Sequence, residues 1–349
     1  MSQAVQIRKV RAKAPLRLGL AGGGTDLSPF CDEFGGNVLN ITISVFAHCS
    51  IEQRLDGNVH FNALDIEEEE ELPLAAEYPL SGLVLHRGVY NRIVRQFHSG
   101  QPLPVTVSTS VEAPPGSGLG SSSALVVAMV KAYAEYLELP LGDYDVARLA
   151  FEIERVDLGM AGGRQDQYAA AFGGCNFIEF LPGDRVIVNP LRVHEAHWLE
   201  LEASLLVCHT GRSRVSSEII ENQTSAMRRQ DGSSVQAMEQ IKADAVQMKL
   251  RLLRGDVRGV AEVLNRSWDA KKRTARSVSN DRIDGIYQMA IDSGAWAGKI
   301  SGAGGGGFMM LMVPPERKPQ LARALEGADL TVLHFQFTHR GAESWTVQP

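Results

Sequence analysis

One stretch limits what this chain can fold into more than any other: Pro114-Pro115-Gly116-Ser117-Gly118-Leu119-Gly120-Ser121-Ser122-Ser123-Ala124. Before it, β-branched residues at Val105, Thr106, Val107, Thr109 and Val111 predict a strand over 103–111. After it, an apolar run from Ala124 predicts a buried helix reaching about Glu138. Glycines at such a junction let backbone N–H groups turn toward a common point, and the helix start adds free donors and a positive dipole end. Strand, glycine loop and helix together therefore suit an anion such as phosphate. The hydroxyls of Ser121, Ser122 and Ser123 can cap the helix or meet a metal. The run lacks the lysine that ends a P-loop, and it fits the dinucleotide fingerprint poorly. A serine-capped tight turn is the plain alternative.

Composition narrows the class. With 349 residues the chain has room for about two domains at ~150 residues each. It is 44% hydrophobic and 22% charged, as soluble globular chains are. A net charge of -6 argues against a general nucleic-acid or anionic-membrane binder. No apolar run approaches the ~20 residues of a membrane helix, and the first ten residues carry no signal-peptide core. Cys31, Cys49, Cys175 and Cys208 form no C-x-x-C pair, which fits buried free thiols in a reducing cytoplasm.

Other stretches are read in chain order. Residues 7–20 alternate, with Ala12, Ala14, Leu16, Leu18 and Leu20 on one face and Arg11, Lys13, Arg17 and Gly19 on the other. This predicts a half-buried strand. It ends in Ala21-Gly22-Gly23-Gly24-Thr25-Asp26, where backbone can approach a ligand. Residues 37–54 read as a further strand region, the five acids at 67–71 as a solvated surface loop, and 83–97 as a helix. A helix opened by Asp143 or Asp145 runs to about Asp157, with Leu149, Ile153 and Val156 on its apolar face. That phase leaves Glu154 elsewhere, where an acid is usually on the surface. A polar Arg164-Gln165-Asp166-Gln167 cluster then sits among glycines and small residues, which suits a precisely held site.

We place a domain boundary at 183, giving units 1–183 and 184–349. The second half predicts a strand at 204–208, helices at 214–228, 235–254, 256–273 and 280–293, and strands at 297–301, 308–313 and 330–337, with a helix at 318–325 before the last. This is an antiparallel or mixed sheet with helices on one side. Between two of those strands, Gly302-Ala303-Gly304-Gly305-Gly306-Gly307 favours a close backbone approach to something.

The stretches 17–26, 114–124 and 299–307, in this order and spacing, resemble the three motifs of the GHMP kinases, over nearly the whole chain. The middle one, Pro-x-x-x-Gly-Leu-Gly-Ser-Ser, is the most specific. The resemblance implies an α+β, two-domain GHMP kinase fold: a ribosomal-S5-like α/β N-terminal domain and a ferredoxin-like α+β C-terminal domain. Within the family, Leu18-Gly19-Leu20-Ala21-Gly22-Gly23-Gly24-Thr25-Asp26 and the run from Gly163 to Gly174 look most like the members acting on heptose 7-phosphate. Ala21-Gly22-Gly23-Gly24 stands where galactokinases have Gly-Glu-His, which argues against galactose.

What the resemblance implies is an ATP- and Mg²⁺-dependent cytoplasmic sugar kinase. It would phosphorylate the anomeric hydroxyl of a heptose 7-phosphate, on the way to nucleotide-heptoses for surface polysaccharide. Asp166 would be the catalytic carboxylate and Arg17 its basic neighbour. Pro115, Gly116, Ser117, Gly118, Leu119, Gly120, Ser121, Ser122 and Ser123 would hold the nucleotide. Ser122 and Glu154 would bind the metal. Gly23, Gly24, Thr25, Asp26, Gly304 and Gly305 would line the substrate. Arg164, Arg212 and Arg214 are the residues suited to the substrate's own phosphate. The partners are a sugar phosphate and ATP, with no nucleic acid and no membrane; a homodimer is compatible with this reading. A kinase for another sugar, such as fucose, and a non-catalytic sugar sensor of the same fold stay open at this point.

Overall fold

The computed structural model describes residues 7–211, 216–228 and 232–348. In chain order these residues form β1 (Lys9–Ala21), α1 (Phe30–Phe34), β2 (Gly36–Gln53), β3 (Asn58–Ala63), β4 (Glu68–Pro73), α2 (Val84–Phe97) and β5 (Val105–Val111). There follow α3 (Ser121–Leu137), α4 (Asp143–Glu152), α5 (Gln165–Phe172), β6 (Cys175–Leu181) and β7 (Arg185–Pro190). The rest is α6 (Glu195–Ser204), β8 (Leu205–His209), α7 (Ser216–Arg228), α8 (Gly232–Leu253), α9 (Val257–Thr274), α10 (Asp281–Asp292), β9 (Ala297–Ile300), β10 (Phe308–Met312), α11 (Lys318–Glu326), β11 (Thr331–Leu333) and β12 (Glu343–Thr346).

The strands make two sheets. The larger is 8-stranded, in the order β12-β1-β2-β5-β3-β4, with β6 and β7 branching from β2. The 18-residue β2 makes the branch possible: its first half pairs β6 and its second half pairs β5, while β1 runs along most of its length. β3 and β5 are parallel; every other neighbour in this sheet is antiparallel. The smaller sheet is antiparallel in the order β11-β8-β10-β9, the ferredoxin-like arrangement with α11 crossing between its last two strands. The two-domain GHMP-type fold read from the motifs is thus the fold observed.

Both halves share one core. A single apolar cluster takes in Leu16 and Ile41 of the larger sheet, Met248 of α8, Val260 of α9 and Met310 of β10. Two strands beyond residue 183, β7 and β12, lie in the larger sheet.

Two expectations change. Period two describes β1 only as far as Ala14, and from Ala14 to Ala21 every residue is buried. The helices α3, α5, α8 and α9 all pack against this strand, so Arg17 is inside the protein. The acidic run is not a loop, because Glu68–Pro73 pairs with β3 as an edge strand. Alternation along a strand sends successive carboxylates to opposite faces and eases their repulsion. Charge on an edge also discourages pairing with other chains. Glu70 is neutralised further by Arg87 at 2.9 Å.

Candidate active site

The glycine loop after β5 turns at positive φ three times, at Gly116 (72°), Gly118 (75°) and Gly120 (78°), and delivers the chain to the first turn of α3. The second glycine loop, between β9 and β10, packs directly on the first. A Cβ on Gly118 would lie 2.5 Å from the Ser301 carbonyl oxygen, and one on Gly302 would lie 2.9 Å from the Gly118 Cα. The Phe308 N–H donates to the Ser117 carbonyl at 3.0 Å. The close approach inferred for the Gly302–Gly307 run is therefore an approach to the cradle itself. Gly304 does not reach the cleft: it packs against Val278, whose carbonyl also accepts the Gly305 N–H at 2.8 Å. Gly305 lines a separate small cavity with Thr210 and Arg282.

Below the cradle opens a cleft of about 670 Å³. Gly116, Gly118 and Gly120, with Ser121, Ser122 and Ser123, form one wall, while Asp166, Arg17, Asp26 and Gln165 line the rest. The remaining cradle residues serve it from behind. Leu119 and Ser117 are buried, the Leu119 carbonyl accepting the Arg17 N–H at 3.0 Å and the Ser117 Oγ accepting the Leu119 N–H at 3.3 Å. Pro115 lines the cleft and also an apolar pocket of about 260 Å³ behind it, which shares Ser121 and Ser122 and is walled by Ile66, Leu85, Val111 and Leu125.

Arg17 comes up from β1 with its side chain almost wholly buried. Its Nε donates to Asp166 Oδ1 at 2.7 Å, and its Nη2 makes an ion pair with the same oxygen at 2.6 Å. Its Nη1 donates to the Gly118 carbonyl at 2.6 Å and to Ser301 Oγ at 3.3 Å. One guanidinium thus fixes the carboxylate, the cradle and the second glycine loop relative to one another. Asp166 itself lines the cleft, and no hydrogen bond to its Oδ2 is found among the described residues. Asp166 stands in the first turn of α5, where the helix dipole favours a carboxylate.

Asp26 holds that helix in place. Its Oδ2 accepts the backbone N–H groups of Arg164 (2.9 Å) and Gln165 (3.0 Å), and its Oδ1 those of Gly24 (3.0 Å) and the Gln165 side chain (3.3 Å). A Cβ on Gly163 would fall 1.9 Å from Asp26 Oδ2, so this contact requires glycine there. Thr25 is buried away from the cleft, donating its hydroxyl to the Gly22 carbonyl at 2.8 Å. Gly23 offers its carbonyl to Lys271 at 3.2 Å, and Gly24 lines the cleft. The buried Oε1 of Gln165 has no hydrogen-bond partner among the described residues, and its residue lines the cleft. An unmet buried acceptor at a cleft wall suits a ligand hydroxyl.

The helical phase placed Glu154 away from the core and Val156 on the apolar face. The structure reverses them: Glu154 is 0% exposed and Val156 is 68% exposed. A π-turn over Ile153–Asp157 causes this, since widening the helix shifts every later side chain around the axis. Glu154 Oε1 consequently accepts from Ser122 Oγ at 3.0 Å, and Oε2 accepts from Gln167 Nε2. Two oxygen donors beside the cradle, one a buried carboxylate, fit a hard cation that keeps waters and phosphate oxygens as its other ligands. No cluster of three or more acidic, histidine or cysteine ligands exists among the described residues.

Lys271 and Lys299 went unnoticed in the sequence. Lys271, on α9, is buried against the cleft and donates to the carbonyls of Gly23 (3.2 Å) and Gly302 (2.7 Å). Burial pushes its ammonium down to about 8, against the pull of Asp26 and Asp166. Lys299 donates to the Gly19 carbonyl at 2.8 Å, and burial drives it well below the ordinary lysine value. A lysine inside a helical or strand pattern carries no sign that it points inward. Of the arginines considered for a substrate phosphate, Arg164 is tied to Asp184 at 2.8 Å and Asp32 at 3.3 Å, while Arg212 and Arg214 lie outside the described residues.

Known proteins bear on this geometry. The family pattern for the GHMP kinases N terminal domain matches residues 84–174, and that for the GHMP kinases C terminal domain matches residues 248–329. A D-glycero-alpha-D-manno-heptose 7-phosphate kinase of Campylobacter jejuni is 46% identical over 98% of this chain and 100% of its own length. A crystal structure of a D-glycero-D-manno-heptose 1-phosphate kinase from Bacteroides thetaiotaomicron superposes with a TM-score of 0.83 at 42% identity, covering 97% of this chain and 100% of that one. A Lactococcus lactis galactokinase complexed with galactose, 17% identical and covering 98% of this chain and 96% of that one, has a TM-score of 0.76 and shares the fold.

Proposed function

Because the chain belongs to the GHMP kinases, phosphotransferases that act on an alcohol group, we propose that it phosphorylates the C1 hydroxyl of D-glycero-D-manno-heptose 7-phosphate with ATP. The product would be heptose 1,7-bisphosphate, a precursor of nucleotide-heptoses for surface polysaccharide. The observation that carries the chemistry is the Arg17–Asp166 pair facing a glycine cradle across one cleft. The choice of sugar is supported by the 46% identity to the heptose 7-phosphate kinase over nearly the whole chain.

Phosphoryl transfer asks a protein mainly for positioning and for charge neutralisation. In this reading the triphosphate lies on the cradle and on the first turn of α3, where backbone N–H groups and the helix dipole meet it. The apolar pocket behind Ser121 and Ser122 takes the base. Asp166 Oδ2 accepts the proton of the sugar hydroxyl while Arg17 keeps Oδ1 occupied and the carboxylate oriented. Gln165 Oε1 and Gly24 meet other hydroxyls of the sugar. Ser122 Oγ and Glu154 Oε1 would hold Mg²⁺, which when bound neutralises charge on the phosphate oxygens.

The test is ADP release measured over a panel of sugars and sugar 7-phosphates, with the product's new phosphate located by NMR. The reading expects the heptose 7-phosphate to give the highest kcat/KM, with phosphate added at C1. A higher kcat/KM for fucose, or phosphorylation away from C1, overturns it.

A further inference from the structure

Beside the cleft lies a second pocket of about 450 Å³. The two are continuous, sharing Asp26, Leu27, Arg155, Met160, Gly162 and Ile220. The second pocket contains neither the cradle nor Arg17 and Asp166. A ligand spanning both would keep its reacting hydroxyl beside Asp166 in the cleft and place its other end in the second pocket.

Its chemistry is that of an anion site. Arg155 stands on the shared wall with its side chain 14% exposed. Its guanidinium packs against Gly162, where a Cβ would lie 2.3 Å from Cζ. Its Nε donates to the Gly163 carbonyl at 3.2 Å and its Nη1 to the Met160 carbonyl at 3.5 Å. Its nearest carboxylate oxygen, Glu154 Oε1, is 3.8 Å away and already accepts from Ser122. A largely buried cation held by neutral carbonyls, with only a distant and shared counter-charge, is under-compensated, and such charges call for a partner. Arg228, exposed at the end of α7, lines the same pocket and forms no ion pair among the described residues. The hydroxyls of Thr224 and Ser225 line it too.

The other charges there are accounted for. Arg164 is neutralised by Asp184 and Asp32, so it serves the wall rather than a ligand. Asp26 accepts from four N–H groups. Glu221 is exposed on α7.

We infer that this pocket, through Arg155 and Arg228, receives a phosphate monoester carried by the acceptor at the end remote from the hydroxyl that reacts. The inference rests on the sugar-phosphate reading above and deepens it. It selects acceptors whose phosphate and reacting hydroxyl are separated by the length of the sugar, as C7 and C1 of a heptose are. Arginine suits the task because its planar fork meets two phosphate oxygens at once.

The test compares heptose 7-phosphate with the free heptose as acceptors, in wild type, Arg228→Ala and Arg155→Lys. Arg228→Ala alters an exposed side chain and tests the site even where a change at Arg155 harms folding. For the phosphorylated sugar, each variant is expected to raise KM tenfold or more with kcat little changed. For the free heptose, Arg228→Ala is expected to leave KM as it is. A wild type that prefers the phosphorylated sugar, with KM unchanged in both folded variants, overturns the pocket and leaves the sugar-phosphate reading standing. A wild type that uses both sugars equally well overturns that reading, and the pocket with it.

Discussion

Arg17 Nη2 and Asp166 Oδ1 lie 2.6 Å apart across 149 residues of sequence, and the same guanidinium donates to the Gly118 carbonyl. The two residues therefore fail differently when changed. Asp166→Asn is expected to keep nucleotide affinity and lose turnover by a factor on the order of 10²–10⁴, as removal of a positioned base does. Arg17→Ala is expected to lower kcat and to weaken nucleotide binding as well, because the cradle loses its anchor. Steady-state kinetics with nucleotide titration separates the two; near-normal turnover in a folded Asp166→Asn protein removes Asp166 from the proton transfer.

Glu154 meets Ser122 at 3.0 Å with no exposure to solvent. Glu154→Gln preserves size and hydrogen-bonding capacity but removes the charge that a hard cation prefers. The Mg²⁺ concentration giving half-maximal rate should rise at least several-fold, with sugar binding in the absence of nucleotide unchanged. An identical Mg²⁺ titration in the variant would show that the carboxylate only caps Ser122.

Lys271 gives the molecule a pH dependence whose sign can be worked out. Its folded value is about 8 and its ordinary value 10.5. Below pH 8 both folded and unfolded chains carry the proton, and the folded chain bears the full cost of a buried cation. Between 8 and 10.5 the unfolded chain holds more protons, so this group's contribution to stability rises with pH. Denaturant titrations at pH 8 and pH 10 should therefore show a smaller gain, or a larger loss, on raising the pH in Lys271→Met than in wild type. Equal pH dependence in the two proteins would mean that Lys271 is not held as a buried ammonium. Neighbouring Arg17 also disfavours its charge, whereas Asp26 and Asp166 favour it, so the wild type and the variant differ in this one group.

Gly118 and Gly183 have the same φ of 75° but different surroundings. A Cβ at Gly118 meets the Ser301 carbonyl at 2.5 Å, whereas at Gly183 nothing lies within 4 Å. Gly183→Ala should cost only the left-handed backbone penalty, about 1 kcal/mol. Gly118→Ala adds a clash of two backbones and should cost several kcal/mol, with weaker nucleotide binding, since the cradle and the second glycine loop must part. Similar melting temperatures for both variants would show that the two loops yield easily.

Much of this was legible from residue order. The helices α2, α3, α9 and α10 and the strands β2, β5 and β8 fall close to where periodicity put them, because each carries its own signal of apolar spacing. The three glycine-bearing stretches were readable because glycine at a turn is a backbone requirement. What escaped was set by neighbours. Burial of Lys271 and Lys299 depends on helices and strands from distant parts of the chain. Glu154 was misphased because one π-turn breaks the 3.6-residue repeat on which the reading relied. The acidic β4 and the short β12 pair as edges, and pairing at an edge is decided by the partner strand.

β12 lies antiparallel to the start of β1, with Val10 opposite Thr346 and Lys13 opposite Glu343, and the Val347 N–H donates to the Lys9 carbonyl at 2.9 Å. Tension applied at residues 8 and 348 would enter at the same end of this ladder and act across the strands, loading one rung at a time. The seam would unzip at low force, toward Lys13 first, while Arg17 and the cleft, farther along β1, stayed bound by β2 and α3. Seen as a mechanical object, the enzyme carries a peelable seam at the end of β1 away from its chemistry.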